Sequence, residues 1–205
     1  MSRSVVFLVL VATLCTPVCS QAQRTRFGFA VGKSFVGGGD SRTLVDVGDF
    51  NVTGADQTGF HIRAFAEVPV SSPGFVFRGE LFYNRLHSRP NSWAIVGSGT
   101  GAAALFDRTI GLTGSFIGSL RPSARVSPYF VLGAGAFLSS LGTNPDPQSS
   151  QVILTRSGMG LGLQTGFGLR VRMGQRDFLV EWRYSQAMNN TRGAGFMPLT
   201  VGIVF

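Results

Sequence analysis

The sequence predicts an all-β fold, a closed antiparallel up-and-down transmembrane β-barrel of about eight strands. Apolar residues recur at every second position in eight runs of about ten residues, the pattern of a membrane-spanning strand. Glycine accounts for 28 of the 205 residues and lies inside these runs, where a helix would avoid it. Short and long connections alternate between the runs, as a barrel with turns on one side and loops on the other requires.

The first four runs set apolar residues on one face against small, polar or charged residues on the other. They cover residues 26–35, 59–68, 75–86 and 106–120. A period of two is what a strand between two different environments shows. In order, the apolar faces consist of Phe27, Phe29 and Val31; Phe60, Ile62, Ala64, Ala66 and Val68; Phe75, Phe77, Leu81 and Tyr83; and Ile110, Leu112, Phe116 and Leu120.

Four further runs, 129–138, 159–172, 178–185 and 196–205, complete the set. The run 129–138 is ambiguous, because both of its faces are apolar or small. Opposite the apolar face of 159–172 lie mostly glycines, which suit a narrow interior crowded by neighbouring side chains. The apolar faces of the last three runs are, in order, Met159, Leu161, Leu163, Phe167, Leu169 and Val171; Phe178, Val180, Trp182 and Tyr184; and Met197, Leu199, Val201, Ile203 and Phe205.

The connections fall into two kinds. Three are short and rich in turn formers: 69–74, 121–128 and 174–177. Four are mostly longer and polar, and are expected to be loops: 37–58, 87–104, 139–157 and 186–195. Because a long connection follows the first run, both termini of the barrel domain are expected on the short-turn side, the periplasm.

Residues 1–22 have the organisation of a secretory signal. Arg3 precedes the uncharged apolar run 5–14, and Pro17 breaks that run before small residues ending at Ala22. An N-terminal anchor helix is the alternative, but the apolar run is too short to span a bilayer. We expect cleavage after Ala22, which leaves 23–205 as one barrel domain. Both cysteines, Cys15 and Cys19, would be removed with the signal, so no disulfide or cysteine metal site is expected.

The formal net charge of +8 comes almost wholly from arginine, since Lys33 is the only lysine. The arginines are scattered along the chain and do not cluster with aromatic residues, so nucleic acid is not expected as a partner. The expected partners of these arginines are anionic lipid headgroups, lipopolysaccharide phosphates and acidic side chains inside the barrel.

The charged residues also indicate which face of each strand points inward. A soluble lipocalin-type barrel, the rival fold, would turn its large apolar residues inward. Here charges of both signs lie opposite the apolar faces, and a buried charge is costly unless it is paired. We therefore predict apolar residues facing lipid and an interior ion network formed by Arg63, Glu67, Arg78, Glu80, Asp107, Arg170, Arg172, Glu181 and Arg183.

The signal, the eight runs and the end of the chain resemble the small outer-membrane barrels, such as the OmpA transmembrane domain and the outer membrane protein beta-barrel domain group. In those proteins the last strand ends in an aromatic residue preceded by alternating apolar residues, which the barrel-assembly machinery reads. Thr200 stands where many members have glycine. The resemblance implies a monomer in the outer membrane of a Gram-negative cell, with an assembly signal formed by Leu199, Val201, Ile203 and Phe205.

Three functions remain open at this point. The first is a structural or surface-interaction barrel with a plugged polar lumen and loops displayed outside the cell. The second is a narrow channel for small solutes, and the third is a lipid-modifying enzyme. Neither His61 nor His87 lies in a His-x-Ser arrangement, so we expect no catalytic residues, cofactor or metal, and His61 is expected to form hydrogen bonds in the lumen.

Overall fold

The computed structural model describes residues 25–37, 45–47, 50–52, 58–70, 74–87, 93–96, 99–102, 104–144, 155–188 and 195–205. The predicted signal, residues 1–22, lies outside the described residues, as do parts of all four predicted loops. Among the described residues, no helix is long and apolar enough to cross a membrane.

Eight strands form a closed barrel in which all neighbours are antiparallel. They are β1 (Arg26–Gly37), β4 (Thr58–Pro69), β5 (Phe75–His87), β8 (Ala104–Ser119), β9 (Val126–Asn144), β10 (Thr155–Met173), β11 (Arg176–Met188) and β12 (Gly195–Val204). Each barrel strand pairs with the next of the eight barrel strands along the chain, so β1 pairs with β4, and β12 closes the barrel by pairing with β1. The predicted fold class is confirmed.

Glycine occupies a position in each of two tight turns beside these strands. Gly74, before β5, has φ 89°, and Gly174, between β10 and β11, has φ 65°. Both values lie in the left-handed region, which glycine enters without the steric penalty of a side chain. We call the end of the barrel that carries these two turns and residues 120–125 the turn side, and the opposite end the loop side.

The strands β9 and β10 extend further towards the loop side than the sequence predicted. Their pairing continues to Gly142 opposite Thr155, so part of the predicted loop 139–157 is a β-ladder. Polar and small residues in this extension do not signal a strand by alternation. The backbone hydrogen bonds of the hairpin can nevertheless continue beyond its apolar part, because each strand supplies the other's partners.

A second sheet was not predicted. Its strands are β2 (Val45–Val47), β3 (Phe50–Val52), β6 (Trp93–Val96) and β7 (Gly99–Ala102), in the order β2-β3-β6-β7. They lie in the connections 37–58 and 87–104, so the prediction that these are loops is wrong for those residues. Short strand signals are present in these residues. Valine or phenylalanine alternates with a polar residue in 45–47 and 50–52, and 93–96 is an apolar run.

The barrel turns its large apolar residues outward. Leu112 is 66% exposed and Leu161 73% exposed, although both lie inside strands. The ambiguous run 129–138 also alternates, with Phe130, Leu132 and Leu138 exposed, but its inward face carries large side chains too, since Tyr129 and Val131 are buried. The side chains at alternate positions, which include arginine and glutamate, are buried inside the barrel.

Candidate functional site

The barrel interior is the candidate site, because strand alternation carries charged side chains from several strands into one enclosed space. On β11, Asp177, Glu181 and Arg183 share the inward face. On β4 and β5 the inward residues include Arg63, Glu67 and further charged groups. Since adjacent antiparallel strands place inward residues at matching heights, charges of both signs meet near the middle of the barrel.

Glu181 is the centre of this arrangement. Its carboxylate forms ion pairs with Arg63, Arg183 and Arg78, the last at 2.9 Å from Arg78 Nη1 to Glu181 Oε2. The hydroxyl of Tyr129 donates a further hydrogen bond of 2.7 Å to the same Oε2 atom. Three positive groups around one buried carboxylate make Glu181 the most heavily shared acid of the interior.

Glu80 joins the charged groups to uncharged polar ones. It pairs with Arg183 and lies 3.8 Å from Arg63 Nη1. Its Oε1 atom also accepts hydrogen bonds of 2.9 Å from Thr113 Oγ1 and 2.8 Å from Gln164 Nε2. These contacts connect β4, β5, β8, β10 and β11 across the interior, so the network ties together strands that are not neighbours.

Glu67 closes the network towards the turn side. Arg78 donates to Glu67 Oε1 from Nε at 3.0 Å and from Nη2 at 2.6 Å. Arg170 Nη2 donates to the same oxygen at 2.7 Å. Because Arg78 also pairs with Glu181, it bridges the two acids.

Seven of the nine residues predicted for the ion network are brought together, namely Arg63, Glu67, Arg78, Glu80, Arg170, Glu181 and Arg183. Arg172 lies at the turn-side mouth with its side chain 52% exposed, and it donates to the Pro122 carbonyl at 3.2 Å. Asp107 lies apart, opposite Leu86 near the loop side, where Thr109 donates to it at 3.5 Å. Asp107 and Thr113 stand six positions apart on β8, which is roughly 20 Å of strand.

The interior also contains polar residues that the prediction did not include in the network. Asp177 accepts a hydrogen bond of 2.7 Å from Arg26 Nη1, and Tyr129 and Gln164 contact the central acids. The alternation of inward and outward residues would have predicted an inward Asp177, because it stands four residues before Glu181 on the same face of β11. His61 is buried, as expected, and its Nδ1 atom lies 3.3 Å from Asn84 Oδ1.

Apolar layers lie on both sides of the ion network. Towards the loop side, one cluster consists of Phe82, Leu86, Phe137, Ala187 and Phe196. A second cluster, of Ala30, Phe65, Leu179 and Val204, lies beside the network, and a third, of Ile117, Tyr129 and Val131, lies towards the turn side. The interior is therefore not polar throughout, because aromatic rings close it above the charges.

Interior glycines leave the space that these rings occupy. A side chain at Gly162 would collide with the ring of Phe137, and one at Gly168 would collide with the ring of Tyr129. Both glycines lie on the inward face of β10, opposite its exposed leucines. The glycine-rich face of the run 159–172 is therefore where large side chains of the neighbouring strand lie.

The predicted assembly-signal residues occupy the outward face at the end of β12. Leu199, Val201 and Phe205 are exposed, and Ile203 is partly exposed. The backbone N–H of Phe205 donates to the Phe27 carbonyl at 2.8 Å, and the guanidinium of Arg176 lies 5.5 Å from the Phe205 ring.

No family model and no curated protein matches the chain. Among solved structures, it is similar to Neisserial surface protein A with a TM-score of 0.54 and 16% identity, over 88% of this chain and 95% of that one. It is also similar to a major outer membrane protein of Thermus thermophilus with a TM-score of 0.53 and 14% identity, over 89% of this chain and 99% of that one. The chain has the fold of the small outer-membrane β-barrels. At these identities the likeness establishes the fold alone.

Proposed function

We propose that the protein is an outer-membrane β-barrel with a structural or surface-interaction role, a plugged lumen and loops displayed outside the cell. The observation that carries this proposal is the sidedness of the strands. Large apolar residues such as Leu112, Leu161 and Phe167 are exposed around the barrel, while arginine and glutamate are buried. A soluble barrel would need water to tolerate that apolar belt, whereas hydrocarbon favours it.

The filled interior supports a structural role over conduction. The ion network crosses the barrel at the level of Glu181, and the rings of Phe82, Phe137 and Phe196 pack against one another on its loop side. Eight strands enclose a space that side chains can fill completely. We therefore propose a brace for the membrane rather than a channel for small solutes.

The histidine contacts support a protein without catalysis. His61 stacks on the Phe82 ring with the ring centres 5.3 Å apart, and it faces the Asn84 amide rather than a serine and a carboxylate. A hydrolytic triad needs the histidine to contact both of those groups. We propose that the histidines are not catalytic and that no cofactor is required.

The proposal includes the route and the partners of the protein. Residues 1–22 serve as a cleaved export signal, and Leu199, Val201, Ile203 and Phe205 are presented to the barrel-assembly machinery. The mature barrel is a monomer that contacts outer-membrane lipid and lipopolysaccharide, and does not contact nucleic acid. The mass of the mature chain tests the export signal directly, since cleavage after Ala22 fixes its first residue as Gln23.

Membrane fractionation followed by electrophoresis of boiled and unboiled samples tests the location and the closed barrel together. We expect the protein in the outer-membrane fraction, extractable only with detergent, with the unboiled form migrating differently because the barrel resists unfolding. An outer-membrane marker and a periplasmic marker from the same cells serve as controls. Recovery of the protein in osmotic-shock fluid without detergent would contradict the proposal.

A further inference from the structure

A cavity opens at the turn side of the barrel, beside Val70, Gly74 and the segment 120–125. It has a volume of about 220 Å³. Four arginines line it, Arg26, Arg125, Arg170 and Arg172, together with Ser127, and none of the described residues that line it is acidic. The exposed residues Val70 and Phe75 form its outer rim, next to the apolar belt.

The positive charge of this cavity is only partly offset by nearby acids. Asp177 pairs with Arg26 at 2.7 Å and forms longer ion pairs with Arg170 at 3.8 Å and with Arg172 at 3.9 Å. Glu67 pairs with Arg170 but is shared with Arg78. Four lining arginines and two neighbouring acids leave a surplus of two positive charges among the described residues. Neighbouring cations repel one another, so the surplus favours an anionic occupant.

Two buried polar atoms at the cavity lack a hydrogen-bond partner in the described structure. They are Ser127 Oγ, in a residue that is 5% exposed, and Arg170 Nε. Buried polar atoms in folded proteins are nearly always hydrogen-bonded, so each exception requires an explanation. An oxygen-rich anion would accept hydrogen bonds from both, whereas an apolar occupant would leave both unsatisfied.

We propose that this cavity is a binding site for a phosphate group. Guanidinium groups present donors that match phosphate oxygens two at a time, and several of them surround the cavity. Arg125 and Arg172 face the ligand from the exposed part of the cavity, and Ser127 and Arg170 from the buried part. A free phosphate and a phospholipid headgroup share this chemistry. The apolar rim at Val70 and Phe75 lies where a lipid headgroup would arrive.

The first experiment measures binding of inorganic phosphate to the full barrel in a phosphate-free nonionic detergent. Isothermal titration is carried out at constant ionic strength, with sodium chloride replacing phosphate in the reference. Arg125→Gln combined with Arg172→Gln is expected to raise the dissociation constant about tenfold or more, because two charged donors are lost. Ser127→Ala is expected to raise it about two- to tenfold without weakening the fold, since its Oγ has no described partner.

Arg121→Gln is the matched control for this site. Arg121 lies in the same turn and is exposed, and it does not line the cavity, so its replacement makes the same kind of charge change outside the site. It should leave phosphate binding unchanged. Equal weakening by Arg121→Gln and by the double variant would show that only the overall charge matters and would overturn the proposal.

The second experiment identifies the source of the phosphate and is the part that rests on the proposed membrane location. The barrel is placed in phosphatidylcholine nanodiscs containing a small fraction of phosphatidylglycerol, and co-purifying lipid is quantified by mass spectrometry. Enrichment of phosphatidylglycerol that the double variant loses supports a headgroup site. Saturable binding of inorganic phosphate alone supports a free-phosphate site. Absence of specific binding in both experiments would overturn the proposal, even if fractionation places the protein in the outer membrane.

Discussion

At the scale of single residues, the interior acids each hold more than one positive group. Glu181 contacts Arg63, Arg78 and Arg183, and Glu67 contacts Arg78 and Arg170. Removing one acid therefore leaves several buried guanidinium groups with fewer partners. Replacement of a whole buried network by apolar residues can be harmless, but breaking it from one side is not.

We expect Glu181→Gln to lower the free energy of unfolding by about 3–5 kcal/mol, the range for breaking a buried ion pair. The amide keeps the shape of the side chain but removes the charge shared by three arginines. Urea unfolding in detergent, followed by the electrophoretic shift between boiled and unboiled samples, measures the loss. Asp107→Asn is the control, because Asp107 lies apart from the ion network and its described partner is a hydroxyl group. If both variants unfold at the urea concentration that unfolds the wild type, the network does not stabilise the barrel.

The membership of the ion network was largely predictable from sequence at this scale, and its geometry was not. Once the apolar face is known to point outward, the alternation of residues along each strand places Arg63, Glu80 and Glu181 inside. Alternation does not give height along the barrel, which depends on strand register. Asp107 was therefore grouped with acids at another height in the barrel, such as Glu80, which lies opposite Thr113.

At the scale of strands, β9 and β10 fit together through complementary residue sizes. Gly162 pairs with Gly135, and the ring of Phe137 lies beside Gly162. Because Phe137 is fully buried among Phe82 and Leu86, its ring has little room to move away. An inward glycine on one strand thus determines where a large side chain of the next strand can pack.

We expect Gly162→Ala to destabilise the barrel by about 1–3 kcal/mol, as over-packing of a filled interior does. Gly79→Ala is the matched control, since a side chain at Gly79 would meet nothing within 4 Å. That control should be neutral or slightly stabilising, because alanine restricts the unfolded chain more than glycine does. Equal urea midpoints for the two variants would contradict the close packing of Phe137 on Gly162.

The outward face of β5 gives a test that separates a membrane barrel from a soluble one. Leu81 is 55% exposed and stands in the middle of this strand, which spans Phe75–His87. In a bilayer, Leu81→Arg should destabilise the barrel by about 2–4 kcal/mol, the value for arginine near the membrane midplane. The measurement is the unfolding free energy in lipid vesicles, with Leu81→Val as control. In a soluble barrel an arginine at this exposed site would be tolerated, so unchanged stability in vesicles would contradict the membrane location.

Strand identity was predictable because lipid and interior impose opposite chemistries on alternate residues. The alternation of apolar and polar residues weakens wherever the contrast between lipid and interior ends. Beyond Leu138 the strand β9 continues through serine, glycine and threonine to Asn144, and only its ladders with β8 and β10 show that it is a strand. The same holds for Val45–Val47 and Phe50–Val52, which are too short for alternation to decide between strand and loop.

At the scale of the whole molecule, the interior consists of stacked layers. The ion network lies between an aromatic cluster around Phe82 and Phe137 and an apolar cluster that includes Ile117, and the cluster of Phe65 lies beside it. The guanidinium of Arg78 lies 4.4 Å from the centre of the Phe65 ring, so the layers are in direct contact. Sequence patterning predicted the outer belt, but these apolar layers were not predicted, since their residues lie among polar ones on the inward face.

From this layering we expect the purified barrel to show no resolvable single-channel steps in planar bilayers. We expect the aromatic cluster and the paired charges to block the path of an ion, because eight strands enclose a space that side chains can fill. A porin reconstituted under identical conditions controls for successful insertion. Stable steps whose size scales with salt concentration would contradict a plugged lumen and favour the alternative of a narrow channel.

The seam between β1 and β12 joins the first and last strands of the barrel, with Gly28 opposite Val204. Before that ladder forms, an assembly of the other strands keeps two rows of unpaired backbone N–H and C=O groups, which hydrocarbon does not satisfy. A partly synthesised chain therefore cannot form a closed barrel, because its last strand does not yet exist. Ring completion must wait until translation has passed β12, and it then happens as a single late event.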